Sequence, residues 1–144
     1  MLWDGFQDTA DRLAHGVTEG DWRSAVSRSY YAVFHYFRTF LLSHGLDLGK
    51  GGQAHFNLYV GLWNCGFPNV AAVANRIDVL RTHRVTADYN LGTFLGQSDA
   101  KGDALESRAV VVDFQALLAR TSSAQIADGA RRYLQSIGRL GKTP

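Results

Sequence analysis

The feature that most constrains this chain is the near absence of proline. Only Pro68 and Pro144 occur in 144 residues, and proline is the residue that most strongly ends a helix. Elsewhere, apolar residues recur at helical spacing over long stretches, without the strict alternation that marks half-buried strands. An all-α fold is expected, a compact bundle of about five to six helices. A first helix is expected over residues 6–16. Gly20 and Asp21 supply a break and an N-cap for a long second helix ending near His44 and Gly45. The glycine-rich stretch 45–52 reads as a loop, a third helix covers residues 54–65, and Gly66, Phe67 and Pro68 stop it. A fourth helix begins near Asn69 and runs through Tyr89. Residues 90–102 read as a polar, glycine-containing loop, the candidate for the most mobile part of the chain. Two helices, over residues 103–120 and 122–140, complete the set, with Ser122 or Ser123 as N-cap.

Composition bounds the class. With 46% hydrophobic, 12% aromatic and 19% charged residues, the chain has the make-up of a folded domain, and residues 1–144 are expected to form a single one. A domain of this length buries roughly 70% of the surface its unfolded chain exposes, so it needs no disulfide or metal to hold it together. The lone Cys65 fits a reducing cytoplasm and excludes an internal bridge. No apolar run reaches about 18 residues, and the acidic start MLWDGFQDTADR lacks a basic-then-apolar leader, so a cytoplasmic location without a membrane partner is expected. No pair among the five histidines, with Cys65 included, has metal-ligand spacing, and neither a metal nor a cofactor is expected.

The formal charge is only +2, but it is unevenly spread. Over residues 1–21 the acids Asp4, Asp8, Asp11, Glu19 and Asp21 outnumber Arg12. Over residues 122–144, Arg131, Arg132, Arg139 and Lys142 face only Asp128. Such a basic end suits phosphate, and it equally complements a helix dipole. The loop containing Gly49, Lys50, Gly51 and Gly52 is not a phosphate-binding P-loop. Its spacing is wrong, no Ser or Thr follows Lys50, and no strand precedes it.

Chemistry concentrates on two helices. On a wheel at about 100° per residue, Trp22, Val26, Tyr30, Val33, Phe37, Phe40 and Leu41 form the apolar face of the second helix. Roughly opposite lie Ser24, Arg28, Tyr31, His35 and Arg38. Glu and Lys are what a merely solvated face usually carries; a guanidinium, an imidazole and a phenol suit phosphate recognition and proton transfer. A helix–helix or dimer interface is the other reading of the same stripe. On the fourth helix the core stripe Val70, Val73, Ile77 and Leu80 continues into Arg84 and Asp88. That polar continuation, beside Arg81 and Tyr89, suggests a cleft rather than only an i,i+4 surface pair. His83 projects elsewhere and is expected to be exposed. His55, near the start of the third helix, is an ambiguous further candidate.

Arg28-Ser29-Tyr30-Tyr31-Ala32-Val33-Phe34-His35, then His55, then Arg84-Val85-Thr86-Ala87-Asp88-Tyr89 resemble the R-x-YYA-x-FH and R-x-x-ADY signatures of small prokaryotic HEPN-domain proteins. The resemblance covers residues 22–89. It implies an all-α bundle, homodimerisation, and roles in toxin–antitoxin, CRISPR-linked and other antiviral systems, often beside a nucleotidyltransferase partner. It also implies metal-independent ribonuclease activity. Such ribonucleases usually carry R-x4-6-H on a late helix, whereas Arg81 and Arg84 are followed here by Asp88 and Tyr89. A composite site is the resulting expectation. Arg28, His35 and Arg84 would be catalytic, with Tyr31, Arg38, His55, Arg81, Asp88 and Tyr89 supporting or binding. The alternative is a non-catalytic subunit that binds nucleotide, RNA or a partner protein.

Overall fold

The computed structural model describes residues 1–140, so Lys142 of the basic end lies outside the described residues. Six α-helices follow one another: α1 (Trp3–Ala14), α2 (Glu19–Ser43), α3 (Gly51–Trp63), α4 (Pro68–Tyr89), α5 (Gln97–Leu118) and α6 (Ser123–Ser136). No strand occurs among the described residues.

Helix α1 begins at Trp3 rather than Phe6, α3 begins at Gly51 inside the stretch expected as loop, and α6 ends at Ser136 rather than near residue 140; three further differences have local causes. The N-cap of α2 is Thr18 rather than the Gly20 and Asp21 region. The Asp21 backbone N–H donates to Thr18 Oγ1 at 3.1 Å, while Asp21 Oδ2 accepts from Val17 and Thr18 N–H. This is a capping box, with Asp21 in the first turn of the helix instead of ahead of it. The expected stop at Pro68 is a start. Pro68 opens α4, where its missing N–H costs nothing.

The third difference is the largest. The loop expected over residues 90–102 is only residues 90–96, because α5 begins six residues early. Gly96 N–H donates to Asp99 Oδ2 at 2.9 Å, which is half of a capping box. Nor does the loop lack anchors. Arg23 donates to the carbonyls of Ala87 at 2.9 Å, Asn90 at 3.2 Å, and Thr93, and Glu19 Oε1 accepts from Leu95 N–H at 3.2 Å.

The chain divides into two units, Met1–Tyr36 with Ile77–Val112, and Phe37–Arg76 with Asp113–Pro144. The first unit has a core of small residues. Ala10, Ala14, Ala25, Val26, Ala87, Ala100 and Ala104 are buried together, with Leu13, Trp22 and Leu95 packed against them. Alanine lets helices approach closely but buries little apolar area per residue. Polar bonds therefore supplement it. Buried Gln7 donates to Ala104 O at 2.9 Å and accepts from Ser107 Oγ at 2.7 Å, tying α1 to α5.

The second unit is built on larger groups. Phe37 and Phe40 meet Phe114 edge-on, at centroid distances of 4.7 and 5.0 Å. Glycine permits α6 to approach the turn that follows α3, since a Cβ on Gly129 would lie 1.9 Å from Cys65 O. At the end of α2, Gly45 takes φ 77° and Leu46 N–H donates to Leu41 O at 3.0 Å, closing the helix with a Schellman turn. Ser122 caps α6, accepting from Gln125 N–H at 3.3 Å.

Candidate functional site

Within the first unit, three helices bring side chains to Tyr31. On α2, Arg28, Tyr31 and His35 share one stripe because they are three and four residues apart. The Arg28 guanidinium lies 5.1 Å from the Tyr31 ring centre, and the His35 ring 6.2 Å from it. From α4, Arg84 places its guanidinium 5.6 Å from both the Tyr30 and the Tyr31 ring centres. Phe6 of α1 completes the cluster. His35 stacks on it at 4.8 Å with an interplanar angle of 22°, and Arg28 lies 5.6 Å from its centre. Cation–π contacts of this kind contribute about 0.5–2 kcal/mol each, more when water is excluded. They hold two guanidiniums and an imidazole around one phenol.

Burial is graded across the cluster. Arg28, Tyr31 and His35 are half-buried, whereas the Arg84 side chain is only 14% exposed. Arg84 Nη1 is 3.6 Å from Asp88 Oδ2, which also accepts from Ser27 Oγ at 3.2 Å. The buried Nε of Arg84 has no hydrogen-bond partner among the described residues. An unsatisfied buried donor costs about 1–3 kcal/mol, so a fold that retains one carries a cost that packing alone does not explain. Beneath the cluster, burial pushes the Tyr30 phenol far above its ordinary range, against the opposing pull of Arg84 and Arg81. That phenol is neutral at physiological pH.

The remaining candidates are placed elsewhere or singly. Arg81 pairs with Asp78 at 2.9 Å. Tyr89 is 75% exposed. Arg38 and His55 fall in the second unit, where Arg38 donates to Gly49 O at 2.9 Å and His55 is half-buried on α3. His83 is half exposed, with Nδ1 3.0 Å from Asp103 Oδ1. Burial pushes the Asp103 carboxyl up, and the His83 hydrogen bond opposes the shift. This pair borders a cavity of about 290 Å³ walled also by Val26, Thr86 and Phe94, and not by Arg28, His35 or Arg84. Among the described residues, no group of three or more His, Cys, Asp and Glu side chains is placed to hold a metal ion.

Phe6 escaped the sequence reading because the recognisable motifs begin at Trp22 and an isolated aromatic on a short amphipathic helix looks like core. Ser27 escaped it because a serine between Val26 and Arg28 carries no signal of a partner 61 residues away. Comparison with curated proteins and with solved structures gave no match. A family model described as "HEPN domain" matches residues 7–116. That span takes in α2, α3, α4 and the whole Arg28, Tyr31, His35 and Arg84 cluster, and on this match the chain belongs to the HEPN-domain family.

Proposed function

We propose that the protein is a HEPN-type component of a prokaryotic toxin–antitoxin or antiviral defence system, acting on RNA as a metal-independent endoribonuclease. The observation that carries this reading is the pairing of His35 with two arginines around Tyr31, one of which keeps a buried donor unsatisfied. In this mechanism His35 takes the proton of a ribose 2′-hydroxyl, and the 2′-oxygen attacks phosphorus. Arg28 and Arg84 stabilise the charge that builds on the equatorial oxygens. The bond from phosphorus to the 5′-oxygen breaks, and that oxygen takes up a proton from the imidazolium or from water. The products are a 2′,3′-cyclic phosphate and a 5′-hydroxyl. Tyr31 and Phe6 orient the charged groups, and Asp88 aligns Arg84.

The wider reading rests on family membership. The 144 residues act as one HEPN-like domain, supported by α2, α4 and α5 each contributing residues to both units. The protein works in the cytoplasm as a homodimer, with a nucleotidyltransferase antitoxin or a defence complex as its partner. No helix among the described residues is long and apolar enough to cross a membrane.

One observation favours a second reading. Asp88 stands near the place of the usual late-helix histidine and pairs with Arg84, which suits a subunit that binds RNA or nucleotide without cutting it. Incubating RNA with the wild-type protein and with Arg28→Ala, His35→Ala and Arg84→Ala, each checked for folding by circular dichroism, separates the two. Cleavage lost in all three folded variants supports the nuclease. Binding without cleavage supports the second reading. Full cleavage by folded Arg28→Ala and His35→Ala would overturn the site.

A further inference from the structure

The first unit has seven Lys and Arg against ten Asp and Glu, a net charge of −3; the second has eight against three, a net charge of +5. Much of that excess gathers on one segment of the second unit, the glycine-rich connection between α2 and α3 and the first turns of α3. Arg38 Nη2 donates to Gly49 O at 2.9 Å. Arg131 of α6 donates to His44 O at 2.6 Å. Arg139, just past α6, donates to Asn57 Oδ1 at 3.0 Å and lies 4.5 Å from the ring centre of Phe56. Asn57 in turn donates to Leu48 O at 3.0 Å. Lys50 is exposed at the N-cap of α3. Two separate sequence features, the glycine-rich loop and the basic end of the chain, thus become one surface.

Its electrostatics are lopsided. Asp47 is the single acid in residues 37–57 and Asp128 the single acid in residues 122–140. Asp47 accepts from Gly49 N–H, and Asp128 pairs with Arg131 at 2.7 Å. Arg139 is held by a side-chain amide, which is neutral, and Arg131 reaches a backbone carbonyl besides the Asp128 carboxylate, so these cations are fixed in place where bases outnumber acids. Phe56 is 46% exposed among these cations. Cations held on one loop, with Arg139 beside the exposed Phe56 ring, match a chain of phosphates with unstacked bases, because phosphates take the charge and a base takes the ring.

We infer that this face of the second unit binds the backbone of single-stranded RNA, as a docking surface separate in sequence from the Arg28, His35 and Arg84 cluster. The inference rests on the reading that the protein acts on RNA, but it requires no cleavage. The test is fluorescence anisotropy with a labelled 2′-O-methyl oligonucleotide, which lacks the attacking hydroxyl and is bound without being cut, titrated at several salt concentrations.

Lys50→Gln with Arg131→Gln and Arg139→Gln should weaken binding about tenfold or more and lower the slope of log affinity against log salt by about 2, at about 0.7 for each lost phosphate contact. Lys50→Gln alone, at an exposed position, should lower the slope by about 0.7 and keeps the test open if the triple variant unfolds. A control triple in the first unit, Arg12→Gln with Lys101→Gln and Arg108→Gln, removes the same charge and should leave the slope unchanged. Equal losses in both triples would reduce the effect to net charge and overturn the docking surface, as would no loss in either. Vesicles of phosphatidylserine and phosphatidylcholine that bind the wild type but not the Lys50 triple, with no RNA binding, would reassign the surface to a membrane. Binding by the wild type with no cleavage of an unmodified RNA would defeat the nuclease reading and leave the surface standing.

Discussion

In the first unit, Arg28 and Arg84 lie against aromatic rings, and Arg84 sits almost wholly out of water beside the Asp88 carboxylate. In the second, Arg38, Arg131 and Arg139 reach over a loop to backbone carbonyls and an amide, with Asp128 beside Arg131 and Phe56 beside Arg139. A guanidinium clamped by rings and a carboxylate is oriented for one acceptor, and a small misplacement of it is costly. Guanidiniums spread over a loop act mainly as a field, which attracts any polyanion and is screened by salt. The scaffolds differ in the same sense. Alanines and buried polar bonds join the first unit's helices, whereas phenylalanines and a glycine contact fill the second.

The sharpest way to break this contrast is Arg84→Met. If Arg84 serves function, activity should fall by about a hundredfold or more, the scale seen when one oriented donor is removed from a transition state. The melting temperature should change little, since removing an unsatisfied buried donor offsets the lost contacts with Tyr30, Tyr31 and Asp88. A large drop in melting temperature would instead make Arg84 a structural member of the first unit. Next in size is Gly129→Ala, where the added methyl meets the Cys65 carbonyl. Thermal or urea unfolding should show a loss of about 3 kcal/mol, while Gly45→Ala, which meets no atom nearer than 3.8 Å but sits at positive φ, should cost about 1 kcal/mol.

Smaller effects sharpen the contrast further. Phe6→Ala removes the ring under His35 and beside Arg28, and should lower activity about tenfold, the equivalent of about 1.4 kcal/mol. Phe6→Leu restores volume but not stacking, so it should recover stability more than activity. Ser122→Ala, at the start of α6, should cost about 1 kcal/mol of stability and no activity. The smallest effect concerns pH. Burial raises the folded-state pKa of Asp103 above its unfolded value, so the folded protein holds that proton more tightly. This group therefore makes stability decline as pH rises from the unfolded pKa, 3.8, through the raised one. The hydrogen-bonded Asp21 carboxyl is lowered, with Thr18 the main cause, and works in the opposite direction: its contribution is present above 3.8 and lost as pH falls through the lowered value. Urea titrations of Asp103→Asn across acidic pH should lack the first component.

Much of this was legible in the residues. Helix period and punctuation give six helices, and the spacing 28, 31, 35 on α2 predicts a shared stripe before any coordinate. The start of α5 was not legible, because Gly96 and Asp99 cap the helix through a bond that composition hides, and a glycine-rich stretch reads as loop. Nor was the anchoring by Arg23, whose acceptors are backbone carbonyls more than 60 residues away and so leave no trace in side-chain pattern. Arg38 and Arg28 look equivalent on a helical wheel, yet they fall in different units, since a wheel carries no information about what packs along the axis. His55 shows the limit of spacing alone: it is half-buried on α3 in the second unit, whereas the cluster belongs to the first.

The most direct measurement is the chemistry of the RNA ends. The purified protein, given single-stranded RNA in EDTA, should leave 2′,3′-cyclic phosphate or 3′-phosphate on one fragment and a 5′-hydroxyl on the other, and folded His35→Ala should leave the RNA intact. Fragments with 3′-hydroxyl and 5′-phosphate ends that form only with magnesium, or undiminished cleavage by His35→Ala, would contradict the role given to the Arg28, His35 and Arg84 cluster.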